Sequence, residues 1–201
     1  MQEAYDKHPN KKEMLTIQNK RAGATALHLA SNNGHAEIVK FLVDKIVNDL
    51  PNEKEQWINK KNKFGFTPLM SVCFRGYLTK GSASHAEENR LAIVKCLIEN
   101  GANPNYQTVD TLMTATHWAA YNKDHGVVKV LLEAGSDHFA FSHMGRLPID
   151  VAGSSRAYAV LDTCLETYFE KVAPSEAKLL KDERLAAEKY HTTDFASHSV
   201  A

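Results

Sequence analysis

One seven-residue pattern occurs four times in this chain, and no other feature limits the fold as severely. It reads TALHLAS from Thr25, TPLMSVC from Thr67, TATHWAA from Thr114 and, more weakly, LPIDVAG from Leu147. Polar, turn-forming residues precede each copy (NKRAGA, NKFGF, VDTLM, SHMGR), and a second apolar segment follows each (AEIVKFLV, LAIVKCLI, GVVKVLLEAGSD, YAVLDTCLETYF). In the first copy Asn32-Asn33-Gly34 separates the two apolar runs, a turn signal that a single amphipathic helix would not contain. The unit is therefore a pair of short helices. Such a pair cannot bury its apolar face alone, so repeated copies must stack.

The four starts are separated by 42, 47 and 33 residues. The last interval and the T-P-L-H-x-A character of the motif resemble the ankyrin-repeat family. The resemblance is carried by TALHLASNNGHAEIVKFLV, FGFTPLM, ENGANPN, THWAAYN and VVKVLLEAGSDHF, and covers roughly residues 21–172. It implies an all-α ankyrin-repeat solenoid of about four helix-turn-helix repeats with β-hairpin-like finger turns. Repeats are expected near 21–57, 62–105, 109–139 and 142–172, with an N-terminal extension over 1–20 and a C-terminal helix and tail over 173–201.

Both long intervals have a local cause. In the first, Ile38, Val39, Leu42, Ile46 and Val47 keep helical spacing, so the second helix runs on until Pro51 stops it. In the second, Gly81, Ser82 and Ser84 predict a flexible loop over 78–90 between the two helices of repeat two. Extra length at such connections costs little.

Within the first repeat, Leu27, Leu29 and Ala30 are expected to face inward, with Ile38, Val39 and Leu42 burying the second helix and Gly34 making the turn. Gly23, Gly65 and Gly145 stand two residues before the motif, where a finger tip needs positive φ. Leu112 holds that place in repeat three, whose tip is one residue longer, so a different turn is expected there. The turn between its helices carries KDHG in place of NGH, displacing glycine to Gly126. In repeat four Arg156 takes the glycine position and Leu147 replaces the threonine. His28 and His117 fall where the family pattern has its motif histidine, and the resemblance implies a structural role, hydrogen-bonded to adjoining turns.

Terminal repeats need polar covers. The degenerate fourth copy reads as a C-terminal cap. Beyond Pro174, SEAKLLKDERLAAEKY predicts a charged capping helix whose stripe (Leu179, Leu180, Ala186, Ala187, Tyr190) packs on the solenoid or docks on a partner. At the front, Met14, Leu15 and Ile17 offer only a thin cover. Either residues 1–20 fold over repeat one or another chain touches that face, and a partner there is the expectation.

The chain of 201 residues has 24 basic and 24 acidic side chains, so no net field draws it to nucleic acid or an acidic membrane. Cys73, Cys96 and Cys164 form no CxxC pair and read as apolar filler. No apolar run reaches membrane-span length, the N-terminus has no signal-peptide core, and Asn-x-Ser/Thr does not occur, which together predict a cytoplasmic setting. Catalytic and nucleotide-binding signatures are missing. GSASH at Gly81 lacks the second glycine of a nucleophile elbow, and the ten histidines are scattered. No enzyme activity, cofactor or metal is expected.

What the resemblance offers is a binding surface made of finger tips and exposed first-helix positions. Mapped by position, the tips carry Arg21, Ala22 and Ala24; Lys63, Phe64 and Phe66; Asp110, Thr111 and Met113; and His143, Met144 and Arg146. The helix positions are Asn32 and Asn33, Phe74 and Arg75, Tyr121 and Asn122, and Ser154 and Ser155. Phe64, Phe66, Phe74 and Tyr121 are aromatic anchors of the kind that dominate interfaces, unless Phe64 and Phe66 merely pack finger on finger. Lys20, Arg21, Lys60, Lys61 and Lys63 make the first two tips basic, while the third carries Asp110. An acidic partner segment near the front edge follows, or else the lysines are only solvated tips. The function expected is a non-catalytic protein-binding module, an adaptor or structural subunit of a larger cytosolic assembly. The alternative is the regulatory ankyrin domain of a larger channel or signalling enzyme.

Overall fold

The computed structural model describes residues 2–74, 83–152 and 159–162. Its principal α-helices are α1 (Gln2–Asp6), α2 (Lys11–Thr16), α3 (Ala26–Asn32), α4 (Ala36–Asp49), α5 (Lys54–Ile58), α6 (Pro68–Cys73), α7 (Ala83–Glu99), α8 (Ala115–Tyr121) and α9 (His125–Glu133). No strand occurs among the described residues.

Threonine starts the first helix of a pair because its hydroxyl can cap it. Thr25, Thr67 and Thr114 are extended, and each Oγ1 accepts the amide N–H three residues on, from His28, Met70 and His117. Pro68 at the first position of α6 is pre-set for a helix start. The fourth copy lacks the hydroxyl and forms only a 3-10 turn, Ile149–Val151, in which the Leu147 amide donates to Asp150 Oδ2 at 2.8 Å. Half of the capping arrangement survives there, with Asp150 at the histidine position.

The pairs stack one on the next as successive layers, which gives two rows of helices. α3 packs on α6, α6 on α8 and α8 on the Ile149–Val151 turn; behind them α4 packs on α7 and α7 on α9. The dry interior is aliphatic: Leu27, Val39, Val43, Ile46, Leu69, Ile93, Leu97, Val128 and Leu131 are essentially buried. Burial of each such side chain stabilises by about 1.5–3 kcal/mol. Pro51 does end α4, opening a short 3-10 turn before α5.

Three sets of hydrogen bonds fix the spacing between layers. Along the finger tips Lys63 N–H donates to Ala22 O (2.9 Å), Val109 N–H to Phe64 O (3.3 Å) and His143 N–H to Thr111 O (2.8 Å). At the finger bases Asn59 donates to Gly101 O and accepts from the Asn103 amide; one layer on, Asn105 does the same with Gly135 O and the Asp137 amide. The third set uses the motif histidines. His28 Nδ1 accepts from the Thr25 amide, so Nε2 carries the proton and donates to Phe66 O of the next finger at 3.0 Å. His117 repeats this with Thr114 and Arg146 O. The structural role implied for both histidines holds. Between layers two and three, Arg90 Nε donates to Asp124 Oδ2 at 2.9 Å, a nearly buried ion pair.

Several expectations are corrected. Helix α7 begins at Ala83, so residues 83–90 are helical and only 78–82 of the expected loop lie outside the described residues. The stretch HAEENRLA is rich in helix formers and has no glycine, and its Arg90 is anchored on Asp124. At the finger tips Gly23, Gly65 and Gly145 do have positive φ (67°, 77° and 67°). Leu112 keeps the same left-handed conformation at φ 51°, so the third tip is not rebuilt around its missing glycine. Its wider span, Thr108 N–H to Met113 O, matches the first tip, Asn19 to Ala24. In the KDHG turn Lys123 takes the left-handed position at φ 66°, while Gly126 lies inside α9. Cys73 is buried and Cys96 half-buried.

The front of the solenoid is covered by its own chain. Tyr5 and Leu15 are 1% and 2% exposed, and α2 packs on α3 and α4. The Tyr5 ring meets Phe41 edge-on at 5.8 Å, and its hydroxyl donates to Asp49 at 2.5 Å. The thin cover expected from Met14, Leu15 and Ile17 left out this tyrosine, and residues 2–16 occupy the face assigned to a partner. Of the expected second helix of the fourth repeat, only residues 159–162 are described; they are helical, with Leu161 buried. Arg156, Cys164 and the C-terminal helix and tail lie outside the described residues.

Three outcomes follow. Tyr5→Ala should lower stability by about 3–5 kcal/mol in denaturant unfolding, and deletion of residues 2–16 by at least as much. Lys123→Gly should stabilise by up to about 1 kcal/mol, since the exposed side chain contributes little and the backbone strain goes. Burial holds both motif histidines below their ordinary value of 6.5 despite carbonyl contacts that pull the other way. The unfolded chain therefore takes up protons that the folded one refuses. Their stabilising contribution is present above 6.5 and is lost as pH falls below it. Thermal unfolding from pH 7.5 to 5 should show this loss, and His28→Asn with His117→Asn should reduce the slope.

Candidate functional site: a finger and helix groove

Two depressions lie on the face formed by the finger tips and the first helices, both within residues 1–161. The front one, about 220 Å³, lies between fingers one and two against α3 and α6, with Leu29, Asn32, Phe64, Phe66 and Ser71 in its lining. The rear one, about 710 Å³, lies between fingers three and four against α8 and the Ile149–Val151 turn. Phe74 borders both, which makes them one groove.

The helical period decides which motif positions line it. Four residues after the motif's first position stand Leu29, Ser71, Trp118 and Val151; seven after it stand Asn32, Phe74 and Tyr121. All of these line the groove. Positions three apart share one helix face. Leu29 is thus not an inward residue, as its apolar character led us to expect, but 47% exposed on the groove side. Neighbours one residue further on are turned away. Asn33 caps α3 through Nδ2 to Leu29 O at 2.8 Å, and Asn122 Nδ2 donates to Cys73 O at 2.9 Å, tying α8 to the end of α6. Arg75, Ser154 and Ser155 lie outside the described residues.

The remaining residues anticipated at the surface divide in the same way. Phe64 and Phe66 line the front depression, and Asp110, Met113, Tyr121, His143 and Arg146 the rear one. Arg21 is an exposed tip beside the front. Lys61 and Lys63 are exposed but locally engaged: Lys61 Nζ stands 4.3 Å over the Tyr106 ring, and Lys63 Nζ donates to Lys20 O at 2.8 Å. Neither lines the front or the rear depression.

Trp118, absent from the sequence-based set, is the hub of the groove. Its ring contacts Phe74 (4.7 Å between centroids), Phe66 (5.7 Å) and Tyr121 (6.4 Å). Phe66 also meets Phe74 at 5.1 Å, so it packs against the helix layer and not finger on finger. Such pairs contribute about 0.5–1.5 kcal/mol each beyond their buried area, which makes the floor rigid. Phe64 and Tyr121, 51% and 60% exposed, project beyond that floor. The Trp118 indole Nε1 is buried without an acceptor, a cost of about 1–3 kcal/mol. Its signal was legible, since THWAA puts tryptophan at the same motif position as Leu29.

Among the described residues no group of three or more His, Cys, Asp or Glu is placed to hold a metal ion, and burial pushes the Cys73 thiol far up, away from nucleophile behaviour. No helix among them is long and apolar enough to cross a membrane.

Comparison with known proteins agrees with this architecture. A family model described as "Ankyrin repeats (3 copies)" matches residues 2–80, and another, "Ankyrin repeats (many copies)", matches 83–132. Neurogenic locus notch homolog protein 1 of Mus musculus is 38% identical over 109 residues, 54% of this chain and 4% of that protein. BCL-6 corepressor-like protein 1 of Homo sapiens is 27% identical over 138 residues, 69% of this chain and 6% of that protein. A putative ankyrin repeat protein of Rickettsia bellii is 31% identical over 86 residues, 43% of this chain and 27% of that protein. The chain thus spans only a small part of the relatives it matches. Two family matches covering most of residues 2–132, on stacked helix pairs joined by hydrogen-bonded fingers, establish that the chain belongs to the ankyrin-repeat family.

Proposed function

We propose that this chain is a non-catalytic protein-interaction module that holds a partner polypeptide along the groove, acting as an adaptor or structural subunit of a cytoplasmic assembly. The observation that carries the reading is the continuous aromatic floor, Phe66, Phe74 and Trp118, flanked by the exposed rings of Phe64 and Tyr121. Exposed aromatics beside a rigid apolar floor are where binding energy concentrates. Arg21, Lys61 and Lys63 give the front edge positive charge, which favours an acidic segment of the partner. The repeats are proposed to span 21–57, 62–105, 109–139 and 142–172, with 1–20 as a front cover and 173–201 as a C-terminal helix and tail.

A second reading, the regulatory ankyrin domain of a larger channel or signalling enzyme, draws on the small share of each relative that the alignments occupy, 4% and 6% in the first two named. Size-exclusion chromatography with mass measurement of the native protein separates the two: a stand-alone subunit weighs what these residues do, with its partners added.

Affinity capture followed by quantitative mass spectrometry tests the groove. Phe64→Ala with Tyr121→Ala should leave the unfolding midpoint near wild type and weaken the partner captured by wild type by about 2 kcal/mol or more. Arg21→Glu, Lys61→Glu and Lys63→Glu together should slow association and flatten its salt dependence. Undiminished capture by the aromatic double variant would reject the groove, and unchanged salt dependence would reject the acidic segment.

A further inference from the structure

The rear chamber differs in chemistry from the front one. Of its three neighbouring rings, Trp118 stands nearly perpendicular to two, 81° to Phe74 and 89° to Tyr121, so the wall is a corner of aromatic rings. Tyr121 is 60% exposed. Two exposed carboxylates, Asp110 and Asp150, border the same space. The Asp150 carboxylate is held in place by the Leu147 amide at 2.8 Å. Facing them are the exposed side chains of Arg146 and His143, so acidic charge is in slight excess over the arginine at neutral pH. The front tips carry Lys20, Arg21, Lys61 and Lys63 with no carboxylate lining the front depression. The groove is therefore polar along its length, basic at one end and aromatic and acidic at the other.

We infer that the rear chamber seats the ammonium group of a lysine side chain supplied by the bound polypeptide, against the Trp118–Tyr121 corner and between Asp110 and Asp150. The inference rests on the reading of the groove as a polypeptide site and adds a direction to it. The acidic part of the partner lies over fingers one and two, and its lysine over fingers three and four. The negative face of an aromatic ring attracts an ammonium, and adjacent carboxylates add to the attraction. The chain makes this contact internally with its own lysines, Lys61 over Tyr106 at 4.3 Å and Lys60 over Trp57 at 5.3 Å.

The test is an NMR titration of the full chain with two synthetic peptides. One carries a run of glutamates, a glycine-serine spacer and a single lysine; the other has norleucine in place of the lysine. The reporters are the front-finger amides of residues 20–24 and 60–66 and the indole N–H of Trp118, distinguished from the other tryptophan's by Trp57→Phe. The lysine peptide should shift the Trp118 signal saturably and bind about fivefold or more tighter than the norleucine peptide. Asp110→Asn with Tyr121→Ala, both exposed positions, should erase that advantage while the spectrum stays that of a folded chain. Equal affinity of the two peptides, or an advantage that survives the double variant, overturns the lysine seat. Shifts at the front amides without any at Trp118 overturn it and leave the groove reading standing, whereas silence at both ends counts against both.

Discussion

A finger turn carries backbone amides that no helix can satisfy, and in this chain the next finger's amide finds its acceptor on the finger before. The bonds from Lys63 to Ala22, Val109 to Phe64 and His143 to Thr111 set the separation of the layers. The asparagine pairs at the finger bases and the motif histidines repeat the constraint at two other heights. An unsatisfied buried amide costs about as much as a lost hydrogen bond or more, so the layers cannot slide or splay without breaking several bonds together. Helix pairs held at that spacing close a dry interior behind the fingers and leave a groove in front of them.

The histidines show how one side chain can serve two repeats. Its Nδ1 completes the cap of its own helix while Nε2 reaches the following finger, and burial keeps the ring neutral so that both roles are possible together. Layer two has Met70 at that position and cannot make the link. It relies instead on the Arg90–Asp124 pair and on Asn122 to Cys73 O to hold layer three. Removing one partner of a buried ion pair costs about 3–5 kcal/mol, so this joint is held by different chemistry.

Much of this was legible in the sequence. The motif's period, its threonine caps, its tip glycines and the stop at Pro51 are each dictated by a local conformational rule, and local rules can be read from local residues. What escaped reading depended on distant contacts. Leu29 looked like core because leucine usually is, yet its position on the helix turns it to the groove. Trp118 falls inside the motif and is the largest side chain on the floor. Tyr5 was invisible as a cover because its partners, Phe41 and Asp49, lie more than thirty residues away. Leu112 and Lys123 took left-handed backbone that glycine would have announced, because the hydrogen bonds around them outweigh about 1–2 kcal/mol of strain each.

The two rows of motif positions that line the groove hold leucine, serine, tryptophan and valine in one, and asparagine, phenylalanine and tyrosine in the other. No common size or polarity unites either row, whereas the positions between them are uniformly small or aliphatic. The residues that build the interior and those that line the groove thus stand on different letters of the same short word. Natural drift could rewrite the groove letters while the scaffold beneath went on assembling as before.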